Sequence, residues 1–240
     1  MKNYSLYFFI FLLFAFYGNT TYAQINYNEV FKQSGWKVLF DGKNLDKWQT
    51  AKEHDVPKEG WRIEGENLIL ASAGGDLVTK QMYGNFALKF DFMLDSASNS
   101  GVKYFVDYLK SNDSNKKSIV GIEYQLIDDY NYPGPAQDKV ANGLTAAAYL
   151  LYEPATDKKF WGHGQWCTGM IISKDGMVEH WLNGEKVLVF DRKSSEFKDR
   201  VNETKFKHFP QYGQIDKGYI MLQDHHDVIT FRNILIKELD

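Results

Sequence analysis

From Phe86 to Leu94 the chain alternates. Phe86, Leu88, Phe90, Phe92 and Leu94 fall on one side, and Ala87, Lys89, Asp91 and Met93 on the other. A period of two is that of a strand with one face in a core. Shorter runs of the same kind recur at Trp61–Glu64 and Leu68–Ala71, joined by Gly65-Glu66-Asn67, and at Val102–Val106, which follows Asn99-Ser100-Gly101 read as a turn. Further strands are predicted at 146–151, 170–173, 177–182, 187–190, 219–223 and 228–236, with Asp175-Gly176 and Asn183-Gly184 as hairpin turns. The polar stretch from Asp107 to Ser118 reads as a solvated hairpin loop. Gly35–Trp48 reads as a strand closed by Asp41-Gly42 and followed by a packed Trp48. Helix signals are few: a short one near Tyr27–Lys32, and Ser194–Phe206, where Phe197 and Val201 lie four apart behind a serine cap. No period of 20 to 50 residues repeats, and helices do not alternate with strands. The pattern predicts an all-β fold, an antiparallel β-sandwich with one or two short helices.

Three predicted strands carry polar residues where apolar ones are expected. The central one is Gly121-Ile122-Glu123-Tyr124-Gln125-Leu126-Ile127-Asp128-Asp129. In a strand Glu123 and Gln125 share a face with Ile127, while Tyr124, Leu126 and Asp128 point the other way. The others are Glu179-His180-Trp181-Leu182-Asn183-Gly184 and Leu222-Gln223-Asp224-His225. Three such strands side by side would form a polar, aromatic-edged groove. Residues 130–142, with Pro133, Gly134 and Pro135, cannot be strand interior and would form its rim.

Lys2, an apolar run from Leu6 to Tyr17 and Thr21-Tyr22-Ala23 before Gln24 read as a cleavable secretory signal over residues 1–23. The remaining residues 24–240 suit one domain, periplasmic or secreted and without a stable membrane anchor once the signal is removed. The net charge of −3 over the full chain, with no basic run, speaks against a nucleic-acid partner. Cys167 is the single cysteine, so export brings no intramolecular disulfide, and its apolar neighbours predict a buried thiol. Aromatic residues make up 16% of the chain, enough to fill a core and still line a groove for sugar faces.

A conventional glycosidase sets two carboxyl groups about one sugar. Here Glu123 is followed four residues on by Ile127, and Gln125 between them cannot ionise. The titratable candidates that remain are His180, which shares its face with Val178 and Leu182, and His225, which shares one with Gln223. One carboxylate with one or two imidazoles suits proton abstraction from carbon better than double displacement. Glu123, Asp128, His180 and His225 could ligate a divalent cation, but their spacing is not that of a metal motif, and nothing in the sequence requires a cofactor. There is no Gly-rich phosphate loop, nucleophile elbow or zinc pattern.

Several segments together resemble the DUF1080, or 3-keto-disaccharide hydrolase, domains. They are Leu39-Phe40-Asp41-Gly42-Lys43-Asn44-Leu45-Asp46-Lys47-Trp48, Asn99-Ser100-Gly101-Val102, Gly121–Asp128, Glu179–Gly184, Leu222–His225 and Phe231-Arg232-Asn233-Ile234, in the family's order. The resemblance implies a concanavalin-like jelly roll and cleavage of glycosides already oxidised to a ketone at C3. Such a ketone acidifies the C2 proton, so one base can remove it and the C1 substituent departs by elimination, with or without later hydration. His180 or Glu123 would be the base, and His225 or a bound cation would polarise the ketone. Gln125, Asn183 and Gln223 would hold hydroxyls, with Asp128, Trp181 and Tyr104 as further contacts. The chain departs from the family pattern at Trp166-Cys167, at His226 and at Tyr104. The alternative is a non-catalytic, lectin-like carbohydrate-binding module on the same jelly roll.

Overall fold

The computed structural model describes residues 34–134 and 140–240, so the predicted signal, the helix near Tyr27–Lys32 and part of the Pro133–Pro135 loop lie outside the described residues. Among the described residues there are thirteen strands: β1 (Lys37–Phe40), β2 (Trp48–Thr50), β3 (Trp61–Glu64), β4 (Asn67–Leu70), β5 (Leu77–Thr79), β6 (Phe86–Leu94), β7 (Asn99–Lys110), β8 (Lys117–Ile127), β9 (Cys167–Lys174), β10 (Met177–Leu182), β11 (Glu185–Asp191), β12 (Tyr219–Leu222) and β13 (Ile229–Glu238). They form two antiparallel sheets. The larger runs β11-β10-β9-β6-β13-β4-β3, with β1 also on β13; the smaller runs β2-β5-β12-β7-β8. This is the antiparallel sandwich that the pattern predicted, in the concanavalin-like jelly-roll form that the family resemblance implied.

The alternation on β6 has its expected cause. Phe86, Leu88, Phe90, Phe92 and Leu94 all enter the core between the sheets, at 1% exposure or less. From the smaller sheet Val102, Tyr104, Ile122, Tyr124 and Leu126 meet them. Rings interlock across the layer: Phe90 and Tyr124 are edge to face at 5.4 Å, and the Tyr124 hydroxyl donates to the Trp181 carbonyl at 3.0 Å. Trp48 is fully enclosed, its indole N–H bonded to the Leu39 carbonyl at 2.9 Å. The β9–β10 and β10–β11 turns place Asp175-Gly176 and Asn183-Gly184 at positive φ, the geometry that favours these residue types in tight hairpins. Among the described residues the α-helix α1 (Ser195–Asn202) starts where Ser194 Oγ accepts the Phe197 N–H at 3.1 Å, and it buries Phe197 and Val201.

Four expectations are corrected. Asn99-Ser100-Gly101 is not a turn but the start of β7, and only residues 111–116 of the 107–118 stretch are loop, since β7 runs to Lys110 and β8 begins at Lys117. Residues 146–151 form no named strand, because Ala146 and Leu150 take positive φ. Their backbone nevertheless covers the free edge of β8: Gln125 N–H donates to Ala147 O (3.1 Å), Ala146 N–H to Gln125 O (2.8 Å) and Tyr149 N–H to Glu123 O (3.0 Å). Finally, the three polar strands do not lie side by side. β10 belongs to the larger sheet, while β8 and β12 flank β7 in the smaller one.

Candidate active site on the open face of the smaller sheet

Tyr124 and Leu126 face the core, so Glu123 and Gln125 face outward. Register sets their neighbours: Lys103 of β7 stands opposite Glu123, Gly101 opposite Gln125, and Met221 of β12 opposite Lys103 on the far side. The Lys103 ammonium is 3.3 Å from Glu123 Oε2, with the two side chains 17% and 5% exposed. Gln223, just past β12, completes the group. Its amide oxygen takes the Lys103 ammonium at 2.8 Å, its amide nitrogen faces Glu123 Oε1 at 3.2 Å, and His225 Nε2 lies 2.8 Å from the same oxygen. An oxygen toward the cation and a nitrogen toward the carboxylate is the orientation the charges demand.

Gly101 makes this approach possible. A Cβ there would stand 2.8 Å from the Gln223 amide nitrogen and 2.9 Å from Glu123 Oε1, so any side chain would part the two. The strand end that carries His225 is held by its neighbour. Asp224 Oδ2 accepts the N–H groups of Gly74 (2.8 Å) and Gly75 (2.7 Å), and Asp224 N–H donates to Asp76 Oδ1 (2.8 Å). Those bonds commit the Asp224 carboxylate to backbone donors and leave Glu123 as the carboxylate of the cluster. His225 itself is exposed.

The remaining predicted site residues lie elsewhere. His180 sits between the sheets at 0% exposure, with Nδ1 2.9 Å from the Ala146 carbonyl and Nε2 2.8 Å from the Tyr104 hydroxyl. Burial pulls its pKa down to about 4, and the Ala146 bond opposes this only in part. Tyr104 is equally enclosed, and burial holds its hydroxyl well above the usual range. Both stand behind the smaller sheet from Glu123. Trp181 points away from the core on β10, its indole N–H donating to Glu179 Oε2 at 2.9 Å and Lys186 over its ring. Asn183 accepts the Thr168 N–H (2.8 Å) and donates to Lys159 O (2.7 Å), closing the base of the β10–β11 turn.

Asp128 ends β8. Burial alone would raise its carboxyl, but donors from Ala97 N–H, the Asn131 amide and Tyr130 N–H, with His163 beside it, together hold it below the usual range. Gln125 faces the open side but is 1% exposed, and its Oε1 accepts the Leu126 N–H at 3.0 Å. Of the sequence candidates, the structure thus brings together Glu123, Gln223 and His225, with Gln125 alongside. Among the described residues no three His, Cys, Asp or Glu side chains converge as a metal cage. Lys103 was missed. Its only signal was its place two residues beyond Gly101, on the same face of the strand, and reading it required the β7–β8 register.

A jelly-roll sandwich with a carboxylate, an ammonium, an imidazole and an amide grouped on its open face is the build of a carbohydrate-active enzyme. The chain belongs to the family of 3-keto-alpha-glucoside-1,2-lyase-like domains, whose model matches residues 35–237. It is 28% identical over 231 residues to a 3-keto-disaccharide hydrolase of Bacteroides thetaiotaomicron, covering 86% of this chain and 79% of that one. A solved structure of a candidate glycosyl hydrolase from Parabacteroides distasonis is 34% identical, covers 90% of this chain and 99% of its own, and superposes with a TM-score of 0.76. A second from that organism is 26% identical, covers 85% and 99%, and gives 0.59.

Proposed function

We propose that this enzyme cleaves glycosides carrying a ketone at C3, by removing the C2 proton and expelling the C1 substituent. The observation that carries this reading is the single available carboxylate. Glu123 is paired with Lys103 and Gln223 and, among the described residues, has no second free carboxylate across from it, which suits one proton abstraction and not the two-carboxylate route. Glu123 takes the C2 proton, the C2–H electron pair becomes the enolate of the C3 ketone, and expulsion of the C1 oxygen restores the ketone as an enone. Water then adds where the product is a hydrated sugar. His225 donates toward the C3 oxygen as charge develops there, and Lys103 with Gln223 fixes the carboxylate. With His180 buried between the sheets, this reading takes Glu123 as the base. From the signal expected over residues 1–23 we propose further that the protein works in the periplasm or is secreted.

Matched chromogenic glucosides with and without the C3 ketone provide the test, with deuterium at C2 of the ketone form. We expect release from the ketone form alone, slowed by deuterium and abolished in Glu123→Gln. Equal release from both glucosides would overturn the proposal. Sugar binding without release from either would return the chain to the lectin-like alternative.

A further inference from the structure

β8 leads out of the Glu123 cluster into an aromatic corner. Of the Phe, Tyr and Trp side chains among the described residues, only Tyr130 and Trp161 are more than half exposed, at 71% and 54%. The two belong to one place, because Tyr130 lies over Phe160 and Gly162, the residues on either side of Trp161. The Tyr130 and Phe160 rings stack at 5.9 Å and 15°, and a Cβ on Gly162 would stand 3.6 Å from Tyr130 Cε2. Phe160 is itself part of the core, so the Tyr130 ring has a fixed backing on one side and stays open to solvent beyond it.

A buried carboxylate holds this corner in place. Asp128 Oδ1 accepts the Tyr130 N–H at 3.2 Å, while Oδ2 accepts the Asn131 amide at 2.8 Å and lies 3.1 Å from Nδ1 of His163. The residues after β8 and those after Gly162 are thus tied to one group, and Tyr130 is positioned ahead of any ligand. Continuity with the open face comes through Tyr132, whose hydroxyl accepts from Asn99 Nδ2 at 3.2 Å. Asn99 faces outward in the same row of β7 as Gly101 and Lys103, opposite Ile127, four residues or about 13 Å along β8 from Glu123. It is 5% exposed, and its Oδ1 has no hydrogen-bond partner among the described residues.

We propose that this corner is a second sugar-binding position, where the open side of the Tyr130 ring carries the C–H face of a pyranose unit of an oligosaccharide. The ring supplies an apolar surface of sugar size. Around it the Tyr132 hydroxyl, the Asn131 amide and the part-exposed His163 imidazole supply partners for the hydroxyls at the sugar's edge. Asn99 Oδ1, buried without a donor, is an acceptor that a hydroxyl entering beside Tyr132 would satisfy. Two exposed rings set among polar groups are far too small an apolar area for a stable protein interface, which buries on the order of 800 Å² per partner. The position rests on the carbohydrate-active class of the chain and not on the ketone reaction.

Titration calorimetry of the full chain with maltotetraose and cellotetraose, one α-linked and one β-linked, tests this without any turnover. We expect at least one tetraose to bind, Tyr130→Ala to weaken it about tenfold or more, and Tyr130→Phe, which keeps the ring, to stay within about threefold of the wild type. Melting temperatures should match across the three proteins, since Tyr130 is exposed. Binding of neither tetraose, or an affinity that Tyr130→Ala leaves intact, would overturn the inference. So would self-association of the wild type that Tyr130→Ala abolishes in sedimentation velocity, which would assign the rings to a second copy of the chain. Tetraose binding that depends on Tyr130, with no cleavage of any keto-glycoside, would instead overturn the proposed reaction and leave the sugar position in place.

Discussion

Acid should unfold this protein in part through one histidine. His180 is enclosed by both sheets, and burial holds its pKa near 4, against an ordinary value of 6.5. In the unfolded chain the same imidazole takes up a proton near pH 6.5. Between those limits the unfolded chain binds one proton more than the folded one, so stability falls as the pH falls through that window. At about 1.4 kcal/mol per pH unit, this residue alone removes about 3 kcal/mol by pH 4, a large share of the ordinary stability of a domain. Above pH 6.5 the contribution is complete. Urea unfolding followed by tryptophan fluorescence, from about pH 7 to about pH 4.5, would measure it in the wild type and in His180→Gln. The variant starts lower, because the Tyr104 hydroxyl and Ala146 carbonyl lose a fitted partner, but its stability should decline less steeply. Parallel pH profiles for the two proteins would show that His180 takes up protons as readily folded as unfolded, and the argument from burial would be wrong.

Other outcomes follow from the open face. Glu123→Gln should lower kcat about 10² to 10⁴-fold, as removal of a general base does, and should also lower the melting temperature, because Lys103 loses its anion. Gly101→Ala should cost activity out of proportion to stability, since its methyl group would part Gln223 from Glu123; steady-state kinetics beside a melting curve would show the split. Lys103→Met leaves Glu123 enclosed without its cation and should cost about 3 kcal/mol in urea unfolding, the low end for a broken buried pair because Lys103 keeps some exposure. Ser194→Ala removes the cap of α1 and should cost about 1 kcal/mol while leaving turnover at the wild-type rate.

Much of the sandwich was legible because its strands obey local rules. The period-two run on β6 and the Asp-Gly and Asn-Gly turns carry their own geometry, and the helix cap at Ser194 was visible in the same way. The site was only half legible. Glu123 and Gln125 could be assigned to one face from alternation alone, but alternation does not say which face is the core, and it treated His180 and Glu123 alike. Only the division of strands between two sheets sets them apart. Asn99-Ser100-Gly101 was misread for a related reason: Gly101 looks like a turn residue, whereas what it supplies is space for two polar side chains from distant strands. Lys103 was invisible because pairing with Glu123 depends on how many residues the β7–β8 hairpin spends in its turn.

The placement of β13 governs when the molecule can work at all. This last strand lies between β6 and β4 in the larger sheet and also takes β1 on its edge. The Asp224 bonds to Gly74 and Gly75 likewise join residues 150 and 149 positions apart. A chain emerging from the ribosome therefore exposes the apolar faces of β1, β4 and β6 until β13 has been made and released. Folding must await that closure, so it should be slow for the chain's size and dependent on protection from aggregation during synthesis.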